Sequence, residues 1–449
     1  MNKKGSIIMA VSMMASLLAG CGGSQQAATD TPSKSSPAST PAPAASTSTA
    51  KAPASGGKVT IDYWHSMGGK NGEYIDAMIK RFNDTHPNIE VVGTFQGGYE
   101  DVVTKLQQSI AAGTAPDVSM LERSFVQLFA DADVLEDLTP YMKKSNLSTD
   151  DFVAGLMGHS TFDKKLVTLP FNRSTPIMHV NKTLLDEKGL KVPTNWDELK
   201  QVANALVVKE NGEYKRQGLT MPFDDWYLIA MMTQSKGKFF NDEGTSIGFY
   251  DNGVGAKVFS FLKDLQNSGA LYYPPVKDSG TIADQLFIDG KVGILFESTG
   301  IIGKVGQSVK FNYVTSYLPK NDVYANPTGG ANVTMLASSK KKDAAWEFMY
   351  WLMTDPKGGQ QFIIDSGYLP FTKKMVDSPE MKELYAKEPN RKVAYDQLQY
   401  AVDTNKHLAW TPIVQEFRKG MQAIMYDNKD IQSTLTTFKK EADRLMSGK

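Results

Sequence analysis

The sequence predicts an α/β fold of two lobes, each a mostly parallel sheet flanked by helices, joined by hinge crossings. Three observations carry this. From residue 58 onward, short apolar strand-like runs alternate with amphipathic helical runs, the order that builds parallel sheets. The alternation restarts after Pro176. Two connections marked by proline and glycine, "LPFNRSTP" (169–176) and "NPTGGANV" (326–333), suit crossings between the two series, one stiffened by its prolines and one freed by Gly329 and Gly330.

The elements follow in order. "KVTIDYWHS" (58–66) alternates as a strand does, with Val59, Ile61 and Tyr63 on one side. In "NGEYIDAMIKRFNDTHP" (71–87), Tyr74, Ile75, Met78, Ile79 and Phe82 recur at helical spacing, and Pro87 stops the run. "IEVVGTF" (89–95) is a second strand. "YEDVVTKLQQSIAAG" (99–113) is a helix with Val102, Val103, Leu106 and Ile110 on one face and Gly113 as its cap. "PDVSML" (116–121) is a third strand. In such sheets ligands bind beyond the carboxyl ends of the strands, here Trp64–Ser66, Gln96–Tyr99 and Glu122–Ser124. The second series has strands at "PIMHVN" (176–181) and "VGILFES" (292–298) and helices at "NWDELKQVANAL" (195–206) and "DAAWEFMYWLM" (343–353).

The N-terminus sets the compartment. Lys3 and Lys4 precede an apolar run, Ile7–Leu18, too short to span a bilayer comfortably and ending in small residues. This is a secretory signal over 1–20. Its end, "LAGC" (Leu18–Cys21), has the form of a lipobox, which makes Cys21 the site of lipid attachment. Cys21 is the sole cysteine of 449 residues, so the mature domain carries no disulfide, thiol nucleophile or cysteine metal site. The segment that follows, to residue 57, is almost wholly Ala, Ser, Thr, Pro and Gly. It cannot bury enough apolar surface to offset its ordering entropy, and reads as a disordered tether. The protein is expected outside the cytoplasm, held to the membrane by its lipid alone.

Composition excludes other classes. Forty-nine basic and 49 acidic residues leave no basic excess for nucleic acid. The five histidines are scattered without ligand spacing, so no metal is expected. "GVGAKV" (253–258) lacks the full spacing and preceding strand of a phosphate loop, and no nucleophile elbow occurs. Carboxylate pairs such as Asp224–Asp225 occur in any chain of this size, and a glycosidase needs two carboxyls opposed in a cleft. No cofactor and no covalent chemistry are implied; a cell-surface hydrolase is the remaining enzymatic alternative.

The chain resembles the extracellular solute-binding proteins of ABC importers, in the maltodextrin-type cluster with its periplasmic-binding-protein fold. It is most similar to the branch that binds sn-glycerol 3-phosphate. The residues that carry this are "YWHSMGG" (63–69), "GGYED" (97–101), "AAGTAPDV" (111–118), "PFNRSTPIMHVNK" (170–182), "NWDEL" (195–199), "FIDGKVGI" (287–294), "GGA" (329–331) and "SGYLPFTK" (366–373), in order along nearly the whole mature chain. The resemblance implies an N-terminal lobe of 58–170 and 331–372 and a C-terminal lobe of 176–327 and 380–449. It implies a monomer that closes on a small polyol phosphate, or alternatively a neutral sugar or oligosaccharide, and delivers it to a membrane permease.

Carried over by position, the implied ligand contacts are Tyr99, Glu122, Ser174, Ser298 or Thr299, Gly330 and Tyr368, with Trp226 as an added aromatic wall. Glu122 suits vicinal hydroxyls, Ser174, Ser298 and the Gly330 amide suit an anionic oxygen, and the tyrosines offer flat faces with a hydroxyl. The family's C-terminal arginine falls on Gln415, with Arg418 three residues beyond. A dianionic phosphate needs a forked cation there, so either the ligand carries less charge, as a glycerophosphodiester or a neutral sugar does, or Arg418 or Arg173 supplies the cation. Alternation along an extended segment opposes Arg173, which faces away if Ser174 faces the ligand.

Overall fold

A computed structural model describes residues 57–402 and 407–447; the signal, Cys21 and the tether expected within 1–56 lie outside the described residues. Ten strands frame the molecule. The first five are β1 (Val59–His65), β2 (Ile89–Phe95), β3 (Val118–Glu122), β4 (Leu169–Ser174) and β5 (Pro176–Asn181). The others are β6 (Glu213–Thr220), β7 (Leu271–Tyr272), β8 (Val292–Ser298), β9 (Tyr313–Ser316) and β10 (Gly329–Met335). One sheet has the order β2-β1-β3-β10-β4 and the other β7-β6-β8-β5-β9. In each, four strands run one way and one runs against them: β10 is antiparallel to β3 and β4, and β5 to β8 and β9.

Helices cover the sheets by their apolar faces. On α1 (Gly69–Thr85), Ile75, Met78, Ile79 and Phe82 are buried. Helix α2 (Tyr99–Ala112) starts where Asp101 accepts the Gly98 N–H at 2.8 Å and ends at Gly113. That residue's left-handed φ of 71° lets its N–H reach back to the Ser109 and Ile110 carbonyls. Two large apolar cores result, with two smaller clusters beside them among the described residues. The first gathers Ile61, Tyr63, Met120, Phe171, Val333 and Phe348; the second gathers Met178, Leu219, Phe239, Phe249, Ile294 and Phe417.

The stretch 169–176 is more than a polar connection. All of Leu169–Ser174 is buried as β4 of the first sheet, Thr175 alone follows, and Pro176 opens β5 of the second. A second crossing runs from Asn326–Pro327 into β10. The helical segment near 379–397 touches both sides: Met381 and Ala394 belong to the first core, while Asn390 accepts the Thr315 N–H of β9 at 2.9 Å. Gln397, fully buried, ties down the crossing. Its amide donates to Thr175 Oγ1 at 3.0 Å and to the Pro176 carbonyl at 2.8 Å, and its oxygen accepts the Leu318 N–H at 3.1 Å.

Candidate functional site

A cavity of about 650 Å³ is walled by residues of both sheets' surroundings. Its position follows the rule for parallel sheets. Glu122, Ser174 and Ser298 are the last residues of β3, β4 and β8, and Tyr99 and Asp224 lie four residues beyond the ends of β2 and β6. The polar ends of strands therefore meet where backbone pairing has stopped and side chains are free to face a ligand.

The first wall is held by Asn172. This fully buried side chain donates to the Tyr99 hydroxyl at 2.8 Å and accepts the Ala331 N–H at 3.2 Å. It thereby fixes the Tyr99 ring to β4 and β10 at once. Tyr368 stands beside Tyr99 on this same wall, packed against the first core, and a Cβ on Gly300 would lie 2.7 Å from its ring. Trp226 packs on the backbone of Gly329 in the same way, a Cβ there meeting the indole at 2.6 Å. Gly330 has φ of +78° and a Cβ there would sit 2.0 Å from the Asn172 carbonyl oxygen, so only glycine suits the position.

The walls are acidic. Two guanidiniums, Arg123 and Arg418, share the lining with Glu100, Asp101, Glu122, Asp224, Asp225 and Glu297. Glu122 accepts the Ser124 N–H at 2.7 Å and lies 4.0 Å from Arg123 Nε; burial outweighs that cation and raises its carboxyl. Glu297 accepts from the Tyr227 hydroxyl at 2.7 Å and the Ser298 N–H at 2.6 Å. Burial, with the Asp284 charge behind it, pushes Glu297 up to about 8. Asp224 caps α3 (Asp225–Gln234) by accepting the Trp226 N–H at 2.9 Å, and burial beside Asp225 pushes it up to about 6. Asp224 and Glu297, which accept from neutral donors, suit a ligand that brings hydroxyl donors.

Of the residues expected to bind, Tyr99, Glu122, Ser174, Trp226, Ser298, Gly330 and Tyr368 line this cavity. Three do not. Thr299 is fully buried beside it, its N–H donating to the Thr175 carbonyl at 3.1 Å. Gln415 is exposed on α4 (Trp410–Met425) and is not part of the lining. Arg173 needs a larger correction. It is fully buried on the other face of β4, so a role in neutralising a ligand is replaced by one in the framework. Its guanidinium donates to the Gly329 carbonyl at 2.9 Å, the Leu156 carbonyl at 3.0 Å, Asn332 Oδ1 at 3.0 Å and Thr328 Oγ1 at 2.7 Å. It pins the second crossing to the first.

Asp224, Glu297 and Tyr227 line the cavity and Asn172 holds its wall, beyond the residues expected to bind. The strand-end rule had a signal for the first two, since "FDDW" follows one strand and "FES" closes another. Arg418, considered only as a phosphate ligand, donates from Nε to Asp225 Oδ1 at 2.7 Å and from Nη1 to Glu100 Oε1. Among the described residues no group of His, Cys, Asp and Glu is arranged to hold a metal.

Two α/β lobes with a solute-sized polar cavity between them define a protein that encloses a small molecule. The chain belongs to the bacterial extracellular solute-binding protein family, whose match spans residues 77–392, and is the solute-binding, non-enzymatic part of an ABC importer of the maltodextrin-type cluster. It is similar to the sn-glycerol-3-phosphate-binding periplasmic protein UgpB of Escherichia coli (strain K12), 24% identical over 359 residues, 76% of this chain and 80% of that protein. The maltotriose-binding protein of Pyrococcus abyssi is 26% identical over 415 residues, 89% and 85% of the two chains. Among solved structures, UgpB from Mycobacterium tuberculosis in complex with glycerophosphocholine has a TM-score of 0.78 at 23% identity, covering 87% of this chain and 99% of that one. Lmo0181 from Listeria monocytogenes in complex with cycloalternan has a TM-score of 0.78 at 22% identity, covering 87% and 100%. At these identities the shared property is the fold.

Proposed function

We propose that this chain is a lipoprotein, anchored through Cys21, that captures an uncharged sugar or short oligosaccharide and presents it to a membrane permease. The observation that carries the choice of ligand is the convergence of Glu122, Asp224 and Glu297 with the rings of Trp226, Tyr99 and Tyr368 on one cavity. Carboxylates accept pairs of hydroxyls, and flat rings cover the apolar faces of a pyranose. A relative named for maltotriose is consistent with that chemistry.

The same walls oppose the phosphorylated polyol expected from the sequence. A unit negative charge about 6 Å from one carboxylate costs about 3 kcal/mol at an effective dielectric constant near 20. The cavity presents six carboxyls against two guanidiniums, and with Glu297 protonated near neutral pH the other five still outnumber the cations. A glycerophosphodiester is the second reading, favoured by Arg418: its guanidinium lines the cavity, although its Nε and Nη1 already donate to Asp225 and Glu100. Calorimetric titration with maltotriose, glycerol 3-phosphate and glycerophosphocholine separates the two. Binding of maltotriose, lost on Trp226→Ala, is the expected result. Tight binding of glycerol 3-phosphate with none of maltotriose would reverse the choice.

A further inference from the structure

Arg418 has a geometry that ligand recognition does not explain. Its helix, α4, packs by Ile413, Val414 and Phe417 into the second core. Its Nε is held by Asp225 Oδ1 at 2.7 Å, and Asp225 is the first residue of α3, whose Leu228, Met231 and Met232 belong to that same core. Its Nη1, however, donates to Glu100, in the first turn of α2, which buries Val103 and Leu106 on the first sheet's side. One guanidinium therefore has a partner on its own side and a partner across the mouth of the cavity. The carboxylate that aims it is nearly buried (6% exposed), whereas the one it reaches across to is open (56% exposed).

We propose that the Arg418–Glu100 pair is an electrostatic latch that biases the two lobes toward closure, with Asp225 holding the guanidinium ready. The inference rests on reading the cavity as the solute cleft, and it deepens that reading by naming what regulates its closing. Hinge closure is an equilibrium, and any contact made only in the closed form shifts it. A pair at an open rim contributes modestly, and pre-orientation by Asp225 removes part of the entropy of fixing the arginine. The expected bias is about a two- to fivefold change in the closed-to-open ratio. Because Glu100 is solvated, the bias weakens with added salt as the Debye length shrinks, from about 14 Å at 50 mM to about 4 Å at 500 mM. Apparent affinity for any solute, charged or not, then falls with ionic strength through closure alone.

The test needs no ligand. Spin labels at Lys80→Cys on α1 and Lys277→Cys on the second lobe, in the full chain carrying Cys21→Ser, report the interlobe distance distribution by pulsed electron paramagnetic resonance. In the parent, raising sodium chloride from 50 to 500 mM lengthens the distribution. In Glu100→Gln it is already long at 50 mM and does not respond to salt. Asp225→Asn, which leaves Glu100 in place, retains a salt response of reduced size. Identical distributions in the parent and Glu100→Gln at 50 mM salt, both unmoved by salt, would overturn the latch. Failure of the solute reading shows up separately, as no heat with any sugar or glycerophosphodiester in calorimetry.

Discussion

Replacing Arg173 tests whether the first crossing is a framework element. Arg173→Met keeps the length of the side chain but removes the donors to the Leu156 and Gly329 carbonyls, Thr328 Oγ1 and Asn332 Oδ1. Hydrogen bonds from a charged donor contribute about 1.5–3 kcal/mol each. Against their loss stands the relief of a fully buried guanidinium, several kcal/mol of desolvation. The net expectation is a destabilisation of about 3–5 kcal/mol, a large part of the 5–15 kcal/mol typical of a domain. Urea unfolding followed by tryptophan fluorescence measures it, and hydrogen exchange locates it. Amides of β4 and β10 lose protection first, while those of the second sheet keep theirs. Arg173→Lys, which keeps the charge but loses the fork, costs less, about 2 kcal/mol. An unchanged urea midpoint in Arg173→Met, or lost protection spread evenly over both sheets, would refute the reasoning.

Three further expectations follow from the same contacts. Gly330→Ala places a methyl 2.0 Å from the Asn172 carbonyl oxygen at a left-handed φ; a loss of at least about 3 kcal/mol in chemical denaturation is expected, and a wild-type midpoint would contradict it. Gln397→Ala strands the Pro176 carbonyl and the Leu318 N–H, lowering stability by about 2–3 kcal/mol and broadening the interlobe distance distribution. Glu297 has a folded value near 8 against an ordinary 4.5, so its contribution is fully present below about pH 4.5 and is lost as pH rises to about 8, with a ceiling of about 5 kcal/mol. Melting temperature measured from pH 5 to 9 should therefore fall less steeply in Glu297→Gln than in the parent, and parallel curves would exclude the assignment.

The strands and helices were largely legible because periodicity is local. "VGILFES" is strand β8 from end to end, and the helix read at 343–353 extends by only one residue at each end as Lys342–Thr354. Tyr99, Glu122 and Ser298 could be placed at strand ends, where the rule for parallel sheets sends a ligand. Arg173 could not be assigned in this way. Its partners come from residues 156, 328, 329 and 332, and β10 pairs with β4 only because it returns from more than 150 residues away. Alternation indicated that Arg173 turns from Ser174, but not what it would find there. Asp224 and Glu297 were not among the expected ligand contacts for a related reason: a carboxyl becomes informative only when burial strips it of water, and burial is a property of the assembled cavity.

The place of β10 also bears on how the molecule is made. It lies between β3 and β4, inside the first sheet rather than at its edge, yet its residues are 329–335. While the ribosome is still producing the second lobe, β3 and β4 have no neighbour between them and the sheet cannot close. Native structure must wait for most of the polypeptide, and pairings of such long range form slowly. For a chain of an extracellular family that delay is useful, because a polypeptide that cannot finish folding early stays threadable through an export channel.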